Sequence, residues 1–205
     1  MNLCSIMLYQ GIDEHAHGEK SVQPTDEALA QGVQQGRTSD LATLVERHYD
    51  ALMGYLYRMT GGNRMLSEDV AQETFARVLR DIASYCYPRP FKPWLYAIAT
   101  NLARNHFKSA DTRRTISTET GDLPAGDNRV ISPEDALTAG DETRTLLNAL
   151  TKLPAHQREV IVLRYSQELP LAEIAAALDI PVGTVKSRLS LGLRRLREVL
   201  VHDTN

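Results

Sequence analysis

Apolar residues recur at helical spacing through the last third of the chain. From Leu171 to Leu178 they lie three, one and three positions apart, which places them on one face of a short helix. Asp179-Ile180-Pro181 interrupts the pattern, because proline lacks a backbone N–H and is tolerated near a helix start but not inside a helix. A second stripe follows, made of Val185, Leu189, Leu193, Leu196 and Leu200. Two helices joined by a three-residue turn predict a helix-turn-helix, whose second helix lies in the DNA major groove.

The face of this second helix opposite its apolar stripe is rich in cations and hydroxyl groups. A lone basic helix is more often an amphipathic helix with a solvated face, but here a preceding helix and a tight turn accompany it. Lysine and arginine can reach guanine edges or phosphates, and serine can contact either. We therefore predict DNA contacts by Thr184, Lys186, Ser187, Arg188 and Ser190, with Arg194 either a phosphate contact or a solvated charge.

Helical periodicity also runs from residue 40 to 114, and no stretch shows strand alternation. Gly61-Gly62-Asn63 predicts a turn, and Ser67 is a candidate N-cap for the next helix. That helix is expected to turn Val70, Phe75, Val78, Leu79 and Ile82 inward. A proline-rich loop then precedes a helix opened by Trp94, which we interpret as a core anchor.

The remaining segments set the domain boundaries. Residues 1–37 have no clear period and are rich in glutamine, glycine and acids, which predicts a disordered extension ending at the N-cap cluster Thr38-Ser39-Asp40. Residues 115–139 predict an acidic linker, near whose end Ser132-Pro133-Glu134 has the pattern of a helix start. The predicted fold class is therefore all-α, with two small helical domains over 38–114 and 140–201.

The charge is unevenly distributed, although the whole chain carries only −3. Residues 36–114 and 146–205 are net basic, whereas 1–35 and 115–145 are net acidic. Two basic blocks that alternate with acidic ones suit two nucleic-acid-facing domains with an acidic connector.

Composition also narrows the function classes. Two cysteines, Cys4 and Cys86, indicate no disulfide framework, and no apolar run reaches the ~18–20 residues that span a bilayer. The apolar first ten residues lack a basic segment, so we expect no signal peptide and a cytoplasmic protein. His15 and His17 with Cys4 do not make a convincing zinc set. No phosphate loop or nucleophile motif is present, so we expect neither enzyme activity nor a cofactor or metal.

Three motifs in order carry a family resemblance. SEDVAQETFARVLRD (67–81), WLYAIATNLARNHFKSADTRR (94–114) and the segment 153–189, with REVIVLRY and EIAAALDIPVGTVKSRL, resemble regions 2 and 4 of the extracytoplasmic-function sigma factors. These are the small two-domain members of the bacterial sigma-70 family, and the resemblance covers residues 38–201. It implies a protein that binds core RNA polymerase, directs it to a promoter and helps to open the duplex.

The resemblance assigns a polymerase-binding role to one helix face. The matching positions in the family face the clamp helices of the polymerase β′ subunit, and the β flap is a second expected contact. Here the face consists of Asp69, Gln72 and Glu73, extended by Arg77.

The resemblance also assigns recognition of the −10 element to the loop after the first motif and to the helix that follows. Tyr85, Tyr87 and Phe91 are candidate walls of a base pocket, and Asn101 is a candidate base contact because an amide both donates and accepts. A basic and polar track for phosphates comprises Arg104, Asn105, Lys108, Arg113 and Arg114. Family members often have Asp and Arg in place of Asn105 and Lys108, which puts the base preference in doubt.

The helix-turn-helix would then read the −35 element, where many relatives carry a basic residue in place of Leu191. The linker, at ~3.3–3.6 Å per extended residue, is long enough to join two promoter elements ~70 Å apart. Expected partners are core polymerase, promoter DNA and an anti-sigma factor. The residues 1–37 could be a regulatory arm, a partner contact or sequence ahead of the true start.

Another class of protein shares the last motif. The helix-turn-helix of response regulators can carry a similar TVK run, and such a regulator would recruit polymerase rather than become part of it. That alternative does not explain residues 67–114, and no receiver-like alternation of strands and helices precedes the motif.

Overall fold

The computed structural model describes residues 23–120 and 140–202, and within them the chain forms helices and loops without a strand. The first half contains α1 Asp26–Gln34, α2 Thr38–Met59, α3 Arg64–Asp81 and α4 Phe91–Thr120. The second half contains α5 Asp141–Thr151, α6 Ala155–Tyr165, α7 Leu171–Leu178 and α8 Val182–His202. The predicted all-α class is confirmed.

The prediction that residues 1–37 are disordered is wrong for residues 26–34, which form helix α1. Thr25 caps the helix, because its Oγ1 accepts a hydrogen bond from the Ala28 N–H at 3.2 Å. Acidic residues fill the first turn, where the helix dipole favours them. Leu29 and Val33 are buried in the core, so α1 is part of the folded unit. Residues 1–22 lie outside the described part of the chain.

Helix α3 begins earlier than predicted. Asn63 is its N-cap, with Oδ1 accepting a hydrogen bond from the Leu66 N–H at 2.9 Å. Ser67 is buried inside the first turns, where its hydroxyl donates to the Asn63 carbonyl at 2.7 Å. The expected N-cap at Ser67 is therefore wrong, and so is the inward placement of Leu79, whose side chain is exposed.

Helix α4 begins at Phe91 rather than at the predicted start Trp94, and it extends to Thr120, so the predicted linker does not begin at residue 115. The rest of that linker, residues 121–139 with the expected helix start at Ser132-Pro133-Glu134, lies outside the described residues. Trp94 packs against the core as predicted, in tilted contacts with Tyr85 and Phe91 at ring-centroid distances of 5.3 and 5.8 Å.

The second half contains the predicted helix-turn-helix, formed by α7 and α8. Helix α7 is capped at its C-terminus by Asp179, whose φ of 53° places it in the left-handed conformation that aspartate tolerates better than most residues. Gly192 allows α8 to approach α6 closely, because a Cβ at this position would lie 2.8 Å from Ile161 Cδ1 and 3.2 Å from Gln157 Cβ. Val185 and Leu189 are buried on the inner face of α8, and the opposite face of the helix is turned to solvent.

The two halves pack against each other through α4 with α7 and α2 with α6. A single cluster of buried apolar side chains includes members of both halves, among them Leu44, Tyr55 and Tyr96 from the first and Val160 and Ile174 from the second. None of the helices in the described ranges has a stretch long and apolar enough to cross a bilayer.

Candidate nucleic-acid interface

The outer face of α8 presents the predicted DNA-contacting residues together. Lys186, Ser187 and Ser190 are exposed, and Thr184 and Arg188 are half-buried. The Ser187 hydroxyl donates to the Thr184 carbonyl at 3.0 Å, within the first turns of the helix. Lys186, which is exposed, and Arg188, which is half-buried, form no ion pair with another described residue, so their N–H donors are available for acceptors on DNA.

Arg194 lies further along α8 and is also exposed. Its Nε is 4.0 Å from Glu198 Oε1, and both side chains are about two-thirds exposed. Exposed ion pairs of this kind are worth ~0–1 kcal/mol, so the pair leaves Arg194 able to exchange its partner for a phosphate. The alternatives for Arg194, a phosphate contact or a solvated charge, both remain predictions.

The predicted polymerase face on α3 is exposed and wider than the sequence indicated. Asp69 and Gln72 are exposed, and Glu73 accepts a hydrogen bond from Arg77 Nε at 2.9 Å. Spacings of four, three, four and three residues define an exposed stripe, the α3 stripe: Met65, Asp69, Gln72, Ala76 and Leu79. Met65 is 75% exposed and Leu79 is 52% exposed. The apolar members Met65 and Leu79 were not predicted for this surface, although their spacing with Asp69 and Gln72 forms a second stripe in the sequence.

The aromatic residues from the loop after α3 to the first residue of α4 divide into an inner and an outer set. Tyr85 and Phe91 are buried, and their rings pack edge-on at 6.0 Å. The Tyr85 hydroxyl donates to the Arg89 carbonyl inside the loop. The prediction that Tyr85 and Phe91 line an open base pocket is therefore wrong, because both are committed to the core. Tyr87 is 48% exposed and remains available at the surface, as does Asn101 on α4.

Arg104 is engaged across the contact between the two halves rather than with solvent. Its Nε and second guanidinium nitrogen donate to the two carboxylate oxygens of Glu159 at 2.7 and 2.6 Å. The Glu159 side chain is 1% exposed and the Arg104 side chain 33% exposed. These hydrogen bonds to Glu159 raise the pKa of Arg104. The prediction that Arg104 is an open phosphate contact is wrong for this arrangement.

Neighbouring polar groups reinforce this contact. Tyr55 donates or accepts a hydrogen bond with Thr100 Oγ1 at 2.7 Å, and burial, followed by the nearby Glu159 carboxylate, raises the pKa of the Tyr55 phenol above its ordinary value. Arg158 donates from α6 to the Met59 carbonyl at 2.8 Å, and Lys92 donates from α4 to the Gln167 carbonyl at 3.0 Å. The sequence did not indicate these contacts, because their partners lie 45 to 99 positions apart.

The rest of the predicted α4 track is only partly placed. Asn105 is exposed and, together with Glu73, Arg77, Leu102 and His106, lines a shallow depression between α3 and α4. Lys108, Arg113 and Arg114 belong to α4, but their side chains lie outside what the structure describes. Within the described residues no group of three or more His, Cys, Asp or Glu side chains could hold a metal ion.

Comparison with known families accounts for both halves. Residues 44–113 match the family model described as Sigma-70 region 2, and residues 143–196 match that of Sigma-70, region 4. The chain is 37% identical over 174 residues to the ECF RNA polymerase sigma factor SigW of Bacillus subtilis, covering 82% of this chain and 92% of that protein.

Two solved structures share the arrangement of helices. The structure of CnrH in complex with the cytosolic domain of CnrY superposes with a TM-score of 0.68 at 26% identity, over 87% of this chain and 98% of that one. The sigma factor RpoE in complex with the anti-sigma factor NepR, from Bartonella quintana, gives a TM-score of 0.62 at 26% identity, over 78% of this chain and 96% of that one.

Proposed function

This chain belongs to the extracytoplasmic-function sigma factors of the sigma-70 family, and we propose how its surfaces divide the work of promoter recognition. The region 2 half, from α1 to α4, binds core RNA polymerase and the −10 element. The region 4 half, from α5 to α8, binds the −35 element. The linker between them spans the distance between the two elements.

The observation that carries this proposal is the outer face of α8. Lys186, Ser187 and Ser190 are exposed on the second helix of a helix-turn-helix, directly above the buried Val185 and Leu189. Such a helix fits the ~12 Å wide major groove, where lysine and arginine pair with guanine acceptors. Arg188 and Lys186 are therefore the base or phosphate contacts in the −35 element, with Thr184 at the edge of the same face and Arg194 on the adjacent phosphates.

The α3 stripe is the proposed contact with the β′ clamp helices. It combines an acidic and an amide side chain with two exposed apolar ones, Met65 and Leu79. Exposed apolar side chains in one row mark an interaction surface, and Asp69 adds charge complementarity to a basic partner. Glu73 and Arg77 flank the stripe as an ion pair.

For the −10 element, the accessible groups are Tyr87 and Asn101. Tyr87 supplies a ring on which an unstacked base can stack, and the Asn101 amide supplies a donor and an acceptor. Asn105 and the cations Lys108, Arg113 and Arg114 continue along α4 as the proposed phosphate track.

In vitro transcription tests this function. Purified core polymerase is given fragmented host DNA with and without the protein, and RNA 5′ ends are mapped. We expect new starts that share two upstream elements at fixed spacing. If core polymerase yields no new starts, but a housekeeping sigma factor together with this protein does, the recruited-regulator alternative replaces the proposal.

A single charge on the α3 stripe should weaken core binding. Leu79→Asp places a carboxylate on a side chain that is 52% exposed, so we expect the fold to be retained while affinity for core polymerase falls by about 10-fold or more, the scale of one desolvated interface charge. Leu146→Asp is the matched control, since Leu146 is 39% exposed in the other half. Titration of core polymerase with labelled protein measures both. Equal affinities for L79D and the unchanged protein would contradict the assignment of the stripe.

An anti-sigma factor is the proposed regulator. Support comes from the similarity to RpoE of Bartonella quintana, which was solved in complex with the anti-sigma factor NepR. The protein would act in the cytoplasm, where core polymerase and promoter DNA are found, and would perform no bond chemistry of its own.

A further inference from the structure

Helix α1 contacts both ends of the loop that joins α3 to α4. At the start of the loop, Gln34 Nε2 donates to the Ile82 carbonyl at 2.8 Å and to the Tyr85 carbonyl at 2.6 Å. At its end, Glu27 Oε1 accepts a hydrogen bond from the Phe91 N–H at 3.1 Å. Three hydrogen bonds from one helix therefore bracket residues 85–91.

Two of these hydrogen bonds satisfy backbone groups that the local structure leaves open, the Tyr85 carbonyl and the Phe91 N–H. The third adds to a local bond, because the Ile82 carbonyl also accepts from the Tyr85 N–H at 3.0 Å. Phe91 is the first residue of α4, and the first N–H groups of a helix have no intrahelical partner. Tyr85 follows the short 3₁₀ turn Ile82–Ser84, where the chain leaves helical structure. The side chains of α1 thus act as caps for elements that lie 48 to 64 positions away in the sequence.

Helix α1 is itself firmly placed. Leu29 and Val33 are buried against the bundle. Asp26 accepts hydrogen bonds from Arg47 at 3.0 Å and bonds to His48 at 2.8 Å, both on α2. The loop is therefore held through α1 by the long helix α2, rather than by its own flanking elements alone.

The loop has its anchoring groups inside and its recognition group outside. Tyr85 and Phe91 are buried, and the Tyr85 hydroxyl ties down the Arg89 carbonyl. Tyr87, between these anchors, is 48% exposed. A shift of either end of so short a loop moves Tyr87, because only five residues separate Tyr85 from Phe91.

We propose that Glu27 and Gln34 are positioning residues for the −10 base contact, so that α1 is a working part of promoter recognition. This inference rests on the proposed function, in which the loop with Tyr87 reads the −10 element. The hydrogen bonds of Glu27 and Gln34 fix the backbone at both ends of the loop and hold Tyr87 where an unstacked base can meet it.

Variants of Gln34 and Glu27 test whether the hydrogen bonds of these side chains position the loop. Gln34→Glu replaces the amide donor by an oxygen that faces two carbonyl oxygens, whereas Glu27→Ala removes the acceptor and Glu27→Gln keeps one. Gln31→Glu is the matched control on the same helix, because Gln31 makes no side-chain hydrogen bond to a described residue. Each variant is assayed in complex with core polymerase, at equal concentration of the complex, on a promoter mapped by in vitro transcription.

The readout is −10 discrimination, the ratio of transcription from the native −10 element to that from single-base variants of it. We expect this ratio to fall by about 10-fold in Q34E and E27A, a loss in keeping with a displaced contact group. E27Q should restore it, and Q31E should leave it unchanged. Affinity for core polymerase should stay the same in all four, which a general loss of structure would not allow.

Tyr87→Ala separates failure of this inference from failure of the function it rests on. If Y87A lowers discrimination but Q34E and E27A do not, the positioning role of α1 is overturned while the loop keeps its function. If Y87A leaves discrimination unchanged, the loop does not read the −10 element. That result overturns both the proposed role of the loop and the positioning role of α1. Should Q34E fail to fold, the contrast between E27A and E27Q still decides the question.

Discussion

Alanine at both Lys186 and Arg188 is expected to lower transcription from a −35-dependent promoter by about 100-fold, because a good base contact contributes ~1–3 kcal/mol and each 1.4 kcal/mol is tenfold. Both side chains lie on the outer face of α8, away from the buried Val185 and Leu189, so the fold should be unaffected. Run-off transcription with core polymerase measures the effect. Affinity for core polymerase in the absence of DNA should not change.

The two single substitutions distinguish base from phosphate contacts. Loss of a base contact relaxes the base preference at one −35 position. Loss of a phosphate contact weakens binding to all sequences and lowers the salt dependence of DNA binding by about one ion. Arg64→Ala is the charge-matched control, since Arg64 lies on the exposed start of α3 in the other half. If the double variant transcribes as well as R64A, the outer face of α8 does not contact the promoter.

Arg104→Ala is expected to lower the free energy of unfolding by about 3 kcal/mol, the lower end of the range for removing one partner of a buried ion pair. The lower end applies because the Arg104 side chain is one-third exposed, whereas Glu159 is almost fully buried and would be left without its two hydrogen bonds. Urea unfolding followed by circular dichroism measures the change.

A double-mutant cycle isolates the pair itself. If the destabilisation arises from the stranded carboxylate, R104A/E159A should be more stable than the sum of the two single variants indicates. Arg104→Lys should be intermediate, because an ammonium keeps the charge but cannot offer two parallel N–H groups to the carboxylate. A loss below about 0.5 kcal/mol in R104A, the level of an exposed pair, would show that the pair is open in solution.

The helices whose apolar residues recur at helical spacing could be predicted from sequence. The helix-turn-helix was predictable because its two stripes and the turn Asp179-Ile180-Pro181 are all local features. Helix α1 was not, because nine residues give little periodicity and its stability comes from burying Leu29 and Val33 against distant helices. The N-cap of α3 was misplaced for a related reason: Asn63 and Ser67 are both good caps, and only the tertiary position of the turn selects Asn63.

The candidate sites divide in the same way. Residues on the outside of one helix, such as Lys186, Ser187, Asp69 and Gln72, lie where their spacing placed them. Tyr85, Phe91 and Arg104 do not, because each has a distant partner, Gln34, Glu27 and Glu159 in turn, that no local pattern reveals. An aromatic ring in a loop and an arginine on a helix have the same local pattern whether they serve the core or a ligand, so sequence alone did not identify Glu159 as the partner of Arg104.

The contact between α4 and α7 limits how far apart the two DNA-binding surfaces, on α4 and α8, can lie. A unit of about 60 residues has a radius of gyration of ~10 Å, so α8 lies within roughly 40 Å of α4 while the halves touch, whereas the two promoter elements are ~70 Å apart. Occupying both elements therefore requires the bonds Arg104–Glu159 and Lys92–Gln167 to break. We therefore expect promoter DNA to select a conformer with separated halves, which the free chain would populate only as a fraction. If that fraction is about 1%, the apparent affinity for promoter DNA is about 100-fold below the intrinsic affinity. The more stable the contact between the two halves, the weaker is promoter binding and the lower is transcription.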